Sequence, residues 1–304
     1  MNTDEMQSTN ISPDDAEWHQ TPPSRIGILF HPHKPESKEL ALEMAAMLEE
    51  QACAFWIGSA WDDEAIEDQL PDLDMLITLG GDGTILRAAR LGASYAIPIL
   101  GVKMGRLGFL AEVQPDDWRD PMEEVLTGHY WLERRLMLDV RMQRNGPVQD
   151  EQDQDLHFQA LNDVVVSRGG LARLVRVATS IDGDYLTTYA ADGVIVATPT
   201  GSTGYALAAG GPILPPELRN ILLIPIAAHL SLDRAVVLSE GATVSLTVDS
   251  DHDVILTVDG QFKVEVQDGD VVNICTSTDS AYFVRLRSPA YFYRSLMERL
   301  KWHF

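Results

Sequence analysis

Two cysteines in 304 residues, Cys53 and Cys275, are too few for a disulfide framework. Both lie in apolar, strand-like runs, so the expectation is a pair of buried free thiols, which suits a reducing cytoplasm. Neither has the neighbouring Cys or His partners of a zinc site, and the eight histidines are scattered without metal-ligand spacing. Basic residues are scarce too: 23 Lys and Arg stand against 46 Asp and Glu, a net charge of -23. That balance excludes the broad basic surface used for nonspecific nucleic-acid or anionic-membrane binding. A phosphate ligand must instead be held locally, by backbone N–H groups, a few arginines and a divalent cation. No stretch approaches the ~18 apolar residues of a membrane span, and residues 1–23 lack the basic start and apolar run of a signal peptide. The expectation is a soluble, cytoplasmic protein.

The length suits two domains, and 45% hydrophobic residues suffice for a sizeable core. Residues 1–23 are polar and acidic and read as a disordered tail. Residues 24–128 read as an α/β domain with a parallel, Rossmann-like sheet: strands are expected at 26–30, 53–57, 73–79 and 96–101, and Leu40, Met44, Met47 and Leu48 recur at helical spacing. After Tyr130 the period changes. Short alternating strands are expected at 161–167, 175–181, 193–197, 243–248, 254–258 and 262–266, so residues 129–285 read as a β-rich domain. Residues 149–155 are an acidic, solvated loop. Residues 286–304 hold a final helix over 291–302, with Phe292, Leu296 and Leu300 on one face.

Chemistry concentrates in two places. Leu79–Arg87 reads LGGDGTILR, a glycine turn between a buried strand and a helix. Glycines let several N–H groups face one anion, and the helix N-terminus adds its dipole. Asp82 is out of place among phosphates, since a carboxylate repels them. It fits a group that takes a proton from an attacking hydroxyl or works through a metal ion. These few residues equally fit a tight strand-to-helix turn with Asp82 near the cap. The second place is Asp192–Tyr205, DGVIVATPTGSTGY, followed by Gly210-Gly211-Pro212. Its hydroxyls and glycines after a strand offer many small donors to a ligand, or form an irregular loop whose hydroxyls satisfy one another.

Together with Gly105–Leu110, Leu161-Asn162-Asp163, Asp259-Gly260-Gln261 and the closing segment from Phe292 to Trp302, these motifs resemble the NAD kinase family, in order and over nearly the whole chain after the tail. The resemblance implies the NAD kinase/diacylglycerol kinase-like fold, with the final helix returning to the α/β domain. It implies transfer of the γ-phosphoryl group of ATP, or of polyphosphate, to the 2′-hydroxyl of the adenosine ribose of NAD. Asp82 would be the base, with a divalent ion, Mg²⁺, as cofactor and metal ligands unassigned. Implied ligand contacts are Asp82, Gly83, Arg87, Asn162, Asp163, Arg173, Ala190, Asp192, Thr203, Gly204, Tyr205, Ala206, Leu207, Ala208 and Gln261. A homodimer or homotetramer built through the β-rich domain is implied as well, while His229 is expected to be structural.

Three positions depart from the family pattern. Asp163 stands where glutamate is common, Gly204 where alanine is usual, and Val102-Lys103-Met104 where Asn-Arg or His-Thr is typical. Two other readings share part of the pattern: a lipid or diacylglycerol-type kinase, through GGDGT, and a non-catalytic NAD(P)-binding sensor. The acidic balance and the TPTGSTGY loop count against the first, and retention of Asp82 counts against the second.

Overall fold

The computed structural model describes residues 18–19, 21–105, 108–146, 155–170, 173–229, 232–288, 292–293 and 296. Most of the expected tail, acidic loop and final helix therefore lies outside the described residues. Strand β1 (Trp18–His19) pairs with residues 130–131. Then follow β2 (Arg25–Phe30), α1 (Pro35–Glu50), β3 (Ala54–Ser59), α2 (Asp63–Glu67), β4 (Met75–Gly80), α3 (Asp82–Ala93), β5 (Pro98–Lys103) and α4 (Arg119–Leu126). The β-rich part runs through β6 (Tyr130–Gln143), β7 (Asp155–Ala160), β8 (Asp163–Arg168), β9 (Val175–Ile181), β10 (Asp184–Ala191) and β11 (Gly193–Ala197). It continues with α5 (Tyr205–Ala208), β12 (Asn220–Ile226), β13 (Val236–Ser239), β14 (Val244–Asp249), β15 (Val254–Val258), β16 (Phe262–Val266) and β17 (Val271–Arg285).

Strands β3, β2, β4 and β5 pair in parallel, the arrangement expected of alternating strands and helices. All six residues of β4 are buried, because α1 and α3 cover opposite faces of this sheet. Helix α1 starts with Pro35 at its first position and turns Leu40, Ala41, Met44 and Leu48 inward. In the β-rich part, strands β13-β12-β11-β8-β15-β16 form a six-stranded antiparallel sheet. One face packs Val166, Val194, Leu223 and Leu256 against Val140, Val177, Leu246 and Ile274 of the larger sheet.

The two parts are not joined by a simple linker. Strand β17 pairs antiparallel with β14 and β6 and, at Tyr282 and Phe283, parallel with β5. A register shift between Thr276 and Ser280 lets it serve both arrangements. One eleven-stranded sheet thus runs through both parts.

Two expectations need correction. The unstructured tail does not extend to residue 23, because Trp18 and His19 add a short strand to the edge of β6, where their backbone groups find ladder partners. Cys53 and Cys275 are free thiols but half-buried, since each sits on a partly covered strand or loop. Among the described residues no helix is long and apolar enough to cross a membrane.

Candidate active site

The LGGDGT turn leaves β4 at Gly80 and enters α3 at Asp82, with Gly81 as the capping residue. The first N–H groups of a helix have no intrahelical partner, so this turn presents donors outward. Asp82 is held in place from two directions. Lys103 Nζ, at the end of the adjacent β5, donates to Asp82 Oδ1 at 2.7 Å. Gly108 lies so close that a Cβ there would collide with the Asp82 carboxylate. The lysine is nearly buried, at 11% side-chain exposure, whereas Asp82 keeps 43%, so the carboxylate is anchored yet reachable.

The hairpin of β15 and β16 closes on the same turn. Asp259 and Gly260 both have positive φ, 51° and 64°, as a two-residue hairpin turn of this hand requires. Gln261 then reaches across and its amide donates to the Gly83 carbonyl at 2.8 Å. Beyond its place in the turn, the Asp259 side chain acts as an anchor. Its carboxylate accepts from the backbone N–H groups of Leu161, Asn162 and Asp163 at 2.9, 2.7 and 3.1 Å. This fixes Asn162 and Asp163 at the start of β8.

Asp163 is buried, and its carboxyl is pushed up to about 7 by that burial, with the neighbouring Asp259 carboxylate adding to it. Burial raises Asp259 as well, against the pull of its three N–H donors. Asp259 has those donors to hold its charge, whereas Asp163 is raised by burial and by the Asp259 charge together.

The second motif proves largely self-satisfied. Thr198 Oγ1 accepts from the Gly201 N–H, Ser202 Oγ donates to Pro199 O at 2.6 Å, and Thr203 Oγ1 donates to Thr200 O at 3.2 Å. Thr200 Oγ1 accepts from the buried Arg135. Burial alone would raise Glu133, but Arg135 and Arg285 beside it hold it down at about 2, so this charge cluster is a rigid foot for the loop. The hydroxyls shape the loop, and beyond it the Tyr205 ring is exposed. Ala206 is fully buried in the core beneath α5, Leu207 is half-buried, and Ala208 is exposed.

Ala197 pairs with Asp163, whereas Gly193 at the other end of β11 pairs with Ser167. Asp82, Gly83, Asn162, Asp163, Gln261 and residues 203–208 gather around the first end. Asp192, paired with Arg168 at 3.2 Å, sits at the other. There too lie Arg173, whose Nη1 is 2.6 Å from His252 Nε2, and Ala190, whose carbonyl accepts from the His229 N–H. The strand alone separates the groups by roughly 13 Å, so one chain does not bring Arg173, Ala190 and Asp192 to Asp82. Arg87 is held by Asp63, which accepts from its Nε at 2.7 Å.

The sequence of residues 54–130 matches the model of the ATP-NAD kinase N-terminal domain, and residues 161–286 match that of the ATP-NAD kinase C-terminal domain. The chain belongs to the NAD kinase family. It is 39% identical over 277 residues to an NAD kinase of Dehalococcoides mccartyi, covering 91% of this chain and 96% of the relative. An NAD kinase of Chloroflexus aurantiacus is 42% identical over the same length, covering 91% and 98%. Yeast NADH kinase complexed with NADH superimposes with a TM-score of 0.82 at 25% identity, over 96% of this chain and 93% of that one. An NAD kinase from Archaeoglobus fulgidus in complex with ATP gives 0.72 at 26% identity, over 91% and 98%. With NAD kinases among its sequence relatives and kinases of NAD and NADH among the structures it resembles, neither the lipid kinase nor the sensor is favoured.

Lys103 and Asp259 hold Asp82 and the start of β8 in place, which no local motif announces. Lys103 was marked only as a departure from the family pattern, and its position next to GGDG in the sheet is set by β4–β5 pairing, Gly80 opposite Lys103.

Proposed function

We propose that the chain transfers the γ-phosphoryl group of ATP, or of a related donor, to the 2′-hydroxyl of the adenosine ribose of NAD. The observation that carries this reading is Asp82, exposed at the start of α3 and oriented by Lys103 within a turn that offers backbone N–H groups to phosphates. The ribose oxygen attacks the γ-phosphorus and its proton passes to the Asp82 carboxylate. The bond from the γ-phosphorus to the bridging oxygen breaks, and ADP leaves with that electron pair.

Asn162 and Asp163 are held by the hairpin whose Gln261 reaches Gly83, and with the Thr203–Tyr205 backbone they suit the hydroxyls and amide of the dinucleotide. Among the described residues no group of three His, Cys, Asp or Glu is arranged to hold a metal. One carboxylate beside a phosphate-binding turn fits Mg²⁺ that enters with the donor, held by phosphate oxygens, water and at most Asp82. Such an ion supplies charge neutralisation on the transferring phosphoryl group. A homodimer or homotetramer formed through the β-rich part carries Arg173, Ala190 and Asp192 of one copy toward the Asp82 end of another. Free thiols and the acidic surface suit work in the cytoplasm.

The test is direct. Purified protein is incubated with NAD, ATP and Mg²⁺, and NADP is followed with an NADP-specific dehydrogenase, with polyphosphate as a second donor. The Asp82→Asn variant keeps shape but not basicity, so turnover falls at least ~10²-fold with little change in NAD affinity. No NADP from the wild-type protein with either donor defeats the reading.

A further inference from the structure

The hairpin of β15 and β16 meets α3 at two points. One is the hydrogen bond from Gln261 to Gly83 O, in the first turn of the helix. The other comes seven residues later, roughly 10 Å along the helix axis, where the Arg90 guanidinium lies over the Phe262 ring at 4.6 Å from its centre. A hairpin held at one point can pivot about it. Held at two, it keeps a fixed angle to the helix.

Arg90 is built for this contact. Its side chain is 17% exposed, and Nε and Nη2 are buried without a hydrogen-bond partner among the described residues. Buried donors left without hydrogen bonds call for a reason. The face of Phe262 supplies it, because a planar, weakly hydrated guanidinium stacks on an aromatic ring. Asp63 of α2 lies 3.6 Å from Arg90 Nη2, and the same carboxylate holds Arg87 one turn earlier in α3. Phe262 is fixed as well: it pairs with Val258 across the hairpin turn and packs on Phe158 of β7 at 5.5 Å between ring centres. That turn carries Asp259, the anchor of Asn162 and Asp163. Burial raises the Asp259 carboxyl, and Arg90 joins the three backbone N–H donors in opposing the rise.

We infer that Arg90 is a positioning residue: stacked on Phe262, it sets the angle of the β15–β16 hairpin to α3, and so the separation of Asp82, at the start of that helix, from Asn162 and Asp163, which the hairpin anchors. This rests on the kinase reading, in which Asp82 serves the transfer and the other two hold NAD. A misplacement of about 1 Å between such groups costs up to ~10²-fold. The Gln261 bond to Gly83 stays when Arg90 is lost, so the effect falls on NAD more than on the phosphoryl donor.

Steady-state NADP formation and calorimetric NAD binding are measured on the full chain, with melting curves alongside, for wild type, Arg90→Met, Phe262→Leu, Phe262→Tyr and the double variant of Arg90→Met with Phe262→Leu. KM for NAD is expected to rise ~5-fold in Arg90→Met and in Phe262→Leu, with KM for ATP within ~2-fold of wild type, while Phe262→Tyr, which keeps the ring, recovers most of the loss. The double variant rises no more than ~2-fold beyond the worse single one, where independent effects would multiply to ~25-fold. Phe262→Leu leaves every charge in place and decides the matter if Arg90→Met does not fold. Unchanged KM for NAD in the single variants, an equal rise for ATP, a fully multiplicative double variant, or Phe262→Tyr as impaired as Phe262→Leu overturns the assignment. Wild-type protein that binds NAD but makes no NADP sinks the kinase reading, and the NAD affinities of the same variants then decide on Arg90. NADP formation with NAD kinetics indifferent to both residues leaves the kinase reading standing and removes Arg90 from it. Wild-type protein that binds no NAD overturns both.

Discussion

Lys103 Nζ and Asp82 Oδ1 are 2.7 Å apart, a nearly buried ammonium at the end of β5 gripping an accessible carboxylate at the start of α3. The contact joins two elements that are neighbours only because β4 and β5 pair. It determines where the free Asp82 oxygen points. Lys103→Met leaves the carboxylate free to swing, and kcat is expected to fall ~10-fold with KM for NAD changed by less than ~3-fold. Steady-state kinetics beside a melting curve checks this; kcat within about 2-fold of wild type shows that the hold of Lys103 on Asp82 does not matter to turnover.

Gln261 is the hairpin's hold on the glycine turn, through Gly83 O. Gln261→Ala removes one exposed hydrogen bond, so stability changes by under ~1 kcal/mol. The turn loses a brace, and KM for the phosphoryl donor rises ~3- to 10-fold. Gln261→Glu places an anion beside the phosphates and is expected to be worse than Ala in the same assay. Equal donor kinetics in all three proteins refutes the coupling between hairpin and turn.

Asp259 organises Asn162 and Asp163 through three backbone N–H groups. Asp259→Ala strands those donors in a partly buried place and costs about 2–4 kcal/mol, read from the denaturant midpoint. NAD affinity should fall as well, because the start of β8 loses its anchor. A variant as stable as wild type shows that water replaces the carboxylate.

Asp163 titrates near neutrality, which gives a pH signature. Its folded-state value of about 7 exceeds the ordinary 3.8, so the folded protein keeps the proton longer than the unfolded chain. The associated stability is fully present below about pH 4 and is lost as pH rises through about 7. Melting temperature should therefore decline across that window, and Asp163→Asn, which cannot ionise, should flatten the decline. An unchanged slope in Asp163→Asn assigns the titration to another group.

Much of the framework is legible in the sequence, for a physical reason. Strands at 175–181, 193–197, 254–258 and 262–266 coincide with the observed elements because an alternating or fully apolar run bounded by turn residues has few other ways to bury its side chains. The GGDG turn is equally local, since glycines at a strand-to-helix junction carry their own conformational meaning. Asp82 stands out there because a carboxylate among phosphate donors conflicts with the rest of its motif. What the sequence could not determine is which distant groups meet. Lys103 finds Asp82, Asp259 finds the start of β8, and Gln261 finds Gly83 through strand pairing and hairpin placement, none of which leaves a short-range signal. The same holds for β17, whose register shift lets one strand knit both parts into a single sheet. The family resemblance also put Asn162 and Asp192 among the contacts of one ligand. Only the tertiary structure set them at opposite ends of the strands, because an extended chain moves a residue about 3.3 Å at each step and strand pairing decides where that path leads.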